Sequence, residues 1–393
     1  MNDRYDVVVV GGGPAGSWMA KHAAENGVSV LLLEKDREIG LPVRCAEGVG
    51  AKDLARVVDV QSSWISQKVT GVRFFAPDGT VVEAEPGETG YVLDRKRFDA
   101  DLAALAARAG AEVRTKAYVS GLLVEDGSVQ GVRLFHLGHE FRIRASVVVG
   151  ADGVESRVGR WAGLRTQVSP EDMTSCIQFT LAHPDIVADV AEMHFGRKIA
   201  PSGYLWVFPK GGRKANVGLG ITGAYSLNKK PIFYLREYVE RRYPGASILT
   251  LVAGGVPVGP PLKDIVSNGL MLVGDAARQA NPLTGGGIVN AMVAGAIAGK
   301  VAAESIRSGD ISRKRLSHYA KEWHKIEGKN NELFYKIRTT VDRFDDGDLN
   351  RIAQILLGIP SDQRTVIQLF KTLLFKHPKL LLELGKVYLS ELV

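Results

Sequence analysis

The sequence predicts an α/β fold: a Rossmann-like dinucleotide-binding domain, an antiparallel β-sheet domain inserted into it, and a C-terminal helical region. Three observations carry this. A buried-type strand, a G-x-G-x-x-G turn, a helix, a second strand and a terminal acid follow one another near the start of the chain. Two more apolar strands, 146–150 and 270–273, lie far downstream and each runs into a glycine-containing loop. Between them, residues 170–265 read mostly as short alternating strands. At 393 residues the chain exceeds one typical domain, so two or three lobes are expected. The boundaries read are 1–64, 93–169 and 266–310 for the discontinuous nucleotide-binding domain. Residues 65–92 and 170–265 form the sheet domain, and 311–393 the helical region.

Residues 5–10 (YDVVVV) are a continuous β-branched run, the pattern of a strand buried on both faces of a parallel sheet. The run enters Gly11-Gly12-Gly13-Pro14-Ala15-Gly16. Gly11 permits the tight turn, Gly13 lets the backbone approach a pyrophosphate, and Gly16 lets helix and strand pack closely. The helix over 17–25 offers its free N–H groups to phosphates and stops at Asn26-Gly27. A second strand, 28–33, ends in Glu34, placed to bind the adenosine ribose hydroxyls. These residues alone leave NAD and FAD open.

The downstream loops separate the two. The 146–150 strand leads into Ala151-Asp152-Gly153-Val154-Glu155-Ser156. The 270–273 strand leads into Gly274-Asp275-Ala276-Ala277 and then Asn281-Pro282-Leu283-Thr284-Gly285-Gly286-Gly287. Asp275 can accept hydroxyl hydrogen bonds at the ribityl or pyrophosphate portion of a flavin. The glycines allow the loop to lie against its ring. A small-residue helix opening at Ile288 can stabilise negative charge on the reduced ring.

Together, GxGxxG, GADGxxS and GDAA…NPxxGGG resemble the flavoprotein class of aromatic hydroxylases. Within it the chain resembles the geranylgeranyl reductase family. The further stretches are Pro42-Val43-Arg44-Cys45-Ala46-Glu47-Gly48, Tyr204-Leu205-Trp206-Val207-Phe208-Pro209-Lys210 and 269–299. The similarity runs in order over roughly residues 1–300, and YxWxFPK is its most specific part. The resemblance implies FAD, with Ala15 at the pyrophosphate and Glu34 at the ribose. Cys45, Ala46 and Gly48 would line the flavin, and Arg95 would contact FAD from the start of a helix running to 109. Val119 would hold adenine through its backbone, and Asp275, Gly287 and Ile288 would hold the flavin end. The resemblance also favours Arg95 over Arg97, because members of that family keep an arginine three residues before the phenylalanine, here Phe98.

In the sheet domain, Tyr204, Trp206 and Phe208 alternate and so share one strand face, with Leu205 and Val207 on the other. Three aromatics on one face either fill a sandwich core or line a tunnel for an isoprenoid chain, and the resemblance favours the tunnel. Lys210 follows them in a Pro-Lys-Gly-Gly turn and reads as solvated. Cys45 stands between Arg44 and Glu47, where a nearby cation can lower a thiol pKa. It is a candidate proton source together with Tyr204, a holder of a gating loop, or a small wall residue. Cys176 lies in an apolar strand and reads as core. Residues 65–92, with Pro77-Asp78-Gly79 as the turn, read as a hairpin joining this sheet.

The activity implied is saturation of isolated C=C bonds in geranylgeranyl chains, on membrane lipid precursors, by hydride from reduced flavin plus a proton. The electron donor stays open between a ferredoxin-like protein and NAD(P)H. Gly218-Leu219-Gly220 lacks the third glycine and the strand–helix context of a second dinucleotide site. The alternatives are an FAD monooxygenase of the aromatic-hydroxylase type and a non-catalytic FAD-binding module. Two cysteines and eight histidines show no CxxC or HExxH spacing, so no metal site is expected. The cysteine count suits a reducing cytoplasm. No signal-peptide pattern and no apolar run of about 18 residues is evident. The net charge of +7 fits a solvated surface, nucleic acid, anionic lipid or a phosphorylated ligand; the tail favours lipid, a basic surface would suit an acidic ferredoxin, and no nucleic-acid partner is expected. A basic, apolar tail fits either peripheral contact at the inner face of the membrane or an ordinary packing helix. Its marks are Phe370, Lys371, Leu373, Leu374, Phe375, Lys376, His377, Lys379 and 380–382.

Overall fold

The computed structural model describes residues 2–84, 90–360 and 364, and divides into two compact units. The first comprises Met1–Val43, Arg95–Val168 and Pro257–Glu332, and the second Arg44–Asp94, Ser169–Val256 and Leu333–Val393.

The first unit is built on a sheet whose strands lie in the order Val266–Ser267, Leu270–Leu272, His139–Gly150, Arg4–Val10, Val30–Leu33 and Glu112–Arg114. The five strands from Leu270–Leu272 to Glu112–Arg114 pair in parallel, in the 3-2-1-4-5 arrangement of a dinucleotide-binding sheet. Strand Arg4–Val10 is central because its valine run 7–10 is apolar on both faces: Val7, Val8 and Val9 are fully buried. Each such valine contributes about 1.5–3 kcal/mol of burial. Strands Ala117–Glu125 and Ser128–His136 extend the sheet antiparallel from His139–Gly150.

The helix after the glycine turn spans Pro14–Glu25, three residues earlier than the sequence pattern suggested, because Pro14 occupies the first helical position. It packs against the helix Ile288–Arg307. A Cβ on Gly295 of that helix would fall 2.6 Å from the Ala15 carbonyl oxygen, so only glycine permits this approach. Ile288–Arg307 also corrects the expectation about apolar runs. By length and composition it could cross a membrane, yet twelve of its twenty residues are buried within the fold. It serves as a core helix.

In the second unit the sheet order is Ser247–Pro257, Met173–Ala182, Lys214–Thr222, Tyr204–Pro209, Val190–His194, Gly71–Phe75 and Val81–Ala84. Helix Pro231–Arg242 covers one face through Leu235, Tyr238 and Val239, against Leu205 and Val207. The hairpin Gly71–Phe75 with Val81–Ala84 joins this sheet as expected, but through a parallel pairing with Val190–His194, so the sheet is mixed at that point. The flanking strands Ile65–Val69 and Gly90–Leu93 do not join it. They pair with Gly48–Gly50 in a separate three-stranded sheet. The helical expectation after 311 holds for Arg313–Trp323, Lys329–Val341 and Asp346–Leu357. The basic-apolar cluster around 370–382 lies outside the described residues.

Candidate functional site

In the first unit the glycine turn has the shape its residues dictate. Gly11 takes φ +110°, and a Cβ there would lie 2.3 Å from the Ala151 carbonyl oxygen. A Cβ on Gly16 would lie 1.9 Å from the Gly11 carbonyl oxygen. Gly13 is the opposite case: a Cβ there meets nothing within 4 Å, and no side chain caps the helix that begins after it. That leaves an open anion cradle at a twelve-residue helix N-terminus.

Glu34 stands at the end of its strand and accepts the Gly12 amide at 2.8 Å and the Asp36 amide at 2.9 Å. Val119 is buried in Ala117–Glu125, whose first amide donates to the Glu34 carbonyl at 2.8 Å. The proposed ribose and adenine holders are therefore neighbours. Arg95 opens helix Arg95–Arg108 and is held flat by two 2.7 Å bonds to buried Asp99, while Arg97 is exposed. Burial pushes the Asp275 carboxyl above its ordinary range, and the Arg95 guanidinium opposes the shift. Asp152 is likewise pushed up by burial, and its Oδ1 is buried with no hydrogen-bond partner.

The Asn281–Gly287 loop is closed by its own bonds. Asn281 Oδ1 accepts the Leu283 and Thr284 amides, and the Asn281 amide donates to the Gly286 carbonyl. It delivers an uncapped helix start at Ile288. Behind it, buried Gln279 accepts the Gly274 amide at 2.7 Å and donates to the Tyr319 hydroxyl at 2.7 Å. Asn331 donates to the Gln279 and Ala280 carbonyls. The Gln279–Tyr319 and Asn331–Gln279 bonds escaped the sequence reading because they join residues 40 and 52 positions apart. An open phosphate cradle, an acid at the second strand, an orphaned carboxylate oxygen and a buried carboxyl beside an arginine fit FAD.

In the second unit, Tyr204, Trp206 and Phe208 do share one face, and it carries Ala46 and Cys176 as well. Trp206 and Phe208 are buried, and Tyr204 is partly so. Trp206 and Tyr204 meet edge to face at 5.9 Å, and Phe195 lies 6.1 Å from Tyr204. The residues of Gly218-Leu219-Gly220 belong to strand Lys214–Thr222. A Cβ on Gly218 would lie 2.6 Å from the Trp206 indole, and one on Gly220 3.0 Å from Cys176 Sγ. The glycines make room for the aromatic face.

Cys45 is pinned to this face. Gln178 Nε2 donates to its carbonyl at 3.1 Å, Gln178 Oε1 accepts the Trp206 indole N–H at 2.9 Å, and the Glu47 amide donates to Cys45 Sγ at 3.2 Å. Gly48 lies against Phe208, 2.8 Å from a built Cβ. Burial pushes Cys176 up to about 12, with a smaller contribution from Cys45, and pushes Tyr204 up as well. Both stay protonated at neutral pH. Lys210 is not solvated as the turn suggested: its Nζ is ion-paired with buried Glu47. Glu47, Asn216 and Gln178 are the polar residues of this cluster that the spacing did not single out.

A family model for the geranylgeranyl reductase catalytic domain matches residues 172–256, and one for FAD dependent oxidoreductases matches 6–44. The digeranylgeranylglycerophospholipid reductase of Methanosarcina mazei is 48% identical over 99% of this chain and 97% of its own. The protein of that name from Methanocella arvoryzae is 47% identical over 98% and 99%. Among solved structures, a geranylgeranyl bacteriochlorophyll reductase-like protein from Thermoplasma acidophilum superposes with TM-score 0.92, at 36% identity over 98% of this chain and 99% of its own. A flavin-dependent brominase superposes with TM-score 0.72 at 17% identity over 99% of each chain, a likeness of fold alone.

Proposed function

The chain belongs to the digeranylgeranylglycerophospholipid reductase family of FAD-dependent oxidoreductases, and from that premise we propose that it saturates isolated C=C bonds in the geranylgeranyl chains of a membrane phospholipid precursor. The observation that carries the reading within the chain is the Cys45 loop pinned to the Tyr204–Trp206–Phe208 face. When bound and reduced, FAD supplies the hydride. Gly11, Gly13, Ala15 and Gly16 would hold its pyrophosphate, Glu34 and Val119 its adenosine end, and Asp275, Gly287 and Ile288 its flavin end, with Arg95 contacting FAD from the start of its helix. An unpolarised alkene also needs a proton at its second carbon. Cys45 Sγ–H is our first candidate to deliver it and the Tyr204 hydroxyl the second. Tyr204 borders the isoprenoid chain, with Trp206 and Phe208 as the apolar floor beneath.

Anaerobic reduction followed by addition of a geranylgeranyl phospholipid tests this. We expect the flavin to re-oxidise and the product mass to rise in two-hydrogen steps. A flavin that ignores the lipid but adds one oxygen to an aromatic substrate would move the assignment to the monooxygenase class. Running the same cycle with reduced ferredoxin and with NAD(P)H distinguishes the two donor classes.

We also propose peripheral contact with an anionic bilayer. Supporting it, Tyr225, Leu227 and Phe233 are 42%, 83% and 52% exposed within nine residues that also carry Lys229 and Lys230. Apolar side chains beside cations suit the boundary of anionic headgroups. Co-sedimentation with phosphatidylglycerol vesicles is expected for the holoenzyme and is expected to fall at least about tenfold in Leu227→Glu/Phe233→Glu. Equal sedimentation of the two proteins would remove the segment from the proposal.

A further inference from the structure

We infer that Glu47, Lys210 and Asn216 form a buried clamp that positions the Cys45 thiol. The inference rests on the reductive role proposed for the Cys45 loop, and it assigns these three as positioning residues.

The geometry begins with the backbone. Cys45, Ala46 and Glu47 present three successive carbonyls, and each is taken by a different donor. Gln178 Nε2 takes the first at 3.1 Å, Asn216 Nδ2 the second at 3.2 Å, and the Leu93 amide the third at 2.9 Å. Glu47 sits at φ +71°, a left-handed conformation that costs a non-glycine residue about 1 kcal/mol. That conformation accompanies the Glu47 N–H bond to the sulfur two residues back. Something must hold it, and the side chain does. The Glu47 carboxylate is 3% exposed and receives both Lys210 Nζ and Asn216 Nδ2. Asn216 is itself fully buried and fixed by the Thr180 hydroxyl at 2.8 Å.

A buried ion pair is a poor way to gain stability, since apolar residues of like volume often do as well or better. It is a good way to fix one geometry, because its donors and acceptor must meet in one place. Lys210 is the last residue of the YxWxFPK stretch, so the cation that locks the loop directly follows the strand that carries the aromatic face. Among the ionisable groups of this unit, Glu47 reaches the thiol through its amide and Lys210 pairs with the Glu47 carboxylate, Arg44 precedes Cys45 in the chain, and Cys176 and Tyr204 on the sheet feel the thiol electrostatically.

The test uses FAD-loaded full-length protein and two readouts. One is steady-state reduction of a geranylgeranyl phospholipid. The other is the iodoacetamide alkylation rate of Cys45 at fixed pH, resolved from Cys176 by peptide mass. Lys210→Met leaves the carboxylate buried without its cation. We expect kcat to fall about 10- to 100-fold with KM little changed, and Cys45 alkylation to slow several-fold. In Glu47→Gln/Lys210→Met the amide still bonds Asn216 and no charge is stranded, so both readouts should recover at least halfway on a logarithmic scale. Glu47→Gln alone serves as the second probe if Lys210→Met does not fold; it should shift the alkylation rate and leave FAD bound. Wild-type kcat and alkylation in Lys210→Met would overturn the clamp. So would a lost kcat that the double variant does not repair while alkylation never changes. If wild-type enzyme fails to reduce the lipid, the reductive reading fails, and the alkylation arm still reports whether the clamp positions Cys45.

Discussion

Replacing Cys45 with serine is expected to slow lipid-driven re-oxidation of the reduced enzyme by about 10²-fold or more while FAD stays bound. Serine keeps the volume and can still accept the Glu47 amide that now reaches Cys45 Sγ at 3.2 Å. What it loses is acidity, and a proton donor to an unpolarised alkene must part with its proton as hydride arrives. Cys176 is the control. Burial pushes it up to about 12, so it does not ionise in the working range; it is a wall residue of the sheet and not a proposed donor, and Cys176→Ser should stay close to wild type. Stopped-flow absorbance on anaerobically reduced protein measures all three. If Cys45→Ser re-oxidises within twofold of wild type and Tyr204→Phe is slow, the proton comes from the tyrosine instead.

What could be read from the sequence follows the range of the interactions. The turn at Gly11–Gly16 was legible because strand, glycines, helix, strand and Glu34 constrain one another within one short stretch. The shared face of Tyr204, Trp206 and Phe208 was legible from period-two alternation. The Cys45 clamp was not. Gln178 lies 133 residues from Cys45 along the chain, and Lys210 163 from Glu47, so no local pattern links them. Lys210 was misread for that reason: a lysine before two glycines is normally solvated, and only a buried carboxylate from elsewhere changes its fate. The parallel pairing of Val190–His194 with Gly71–Phe75 was hidden likewise, since alternation gives a strand its faces but not its partner.

Gly16→Ala and Gly13→Ala are expected to fail in different ways, which separates the folding role of the glycine turn from its binding role. At Gly16 the added methyl falls 1.9 Å from the Gly11 carbonyl oxygen and 3.1 Å from Ala151 Cβ. The first of these is backbone, so no side chain can swing aside. Helix Pro14–Glu25 must then leave the central strand, and its buried Met19, Ala20 and Ala23 with it. A cost of about 3 kcal/mol or more follows, a large fraction of an ordinary domain's stability. At Gly13 the methyl meets no protein atom within 4 Å, so the fold should survive. The methyl would instead occupy the space at the uncapped helix start, where a pyrophosphate must approach the backbone. The expected result is a soluble Gly13→Ala apoprotein with near wild-type thermal unfolding and FAD affinity weakened at least about tenfold. Gly16→Ala should unfold early or be recovered without flavin. Circular dichroism melts and quenching of flavin fluorescence on titration measure both. If Gly13→Ala binds FAD as tightly as wild type, the cradle before Pro14 is not where the pyrophosphate lies.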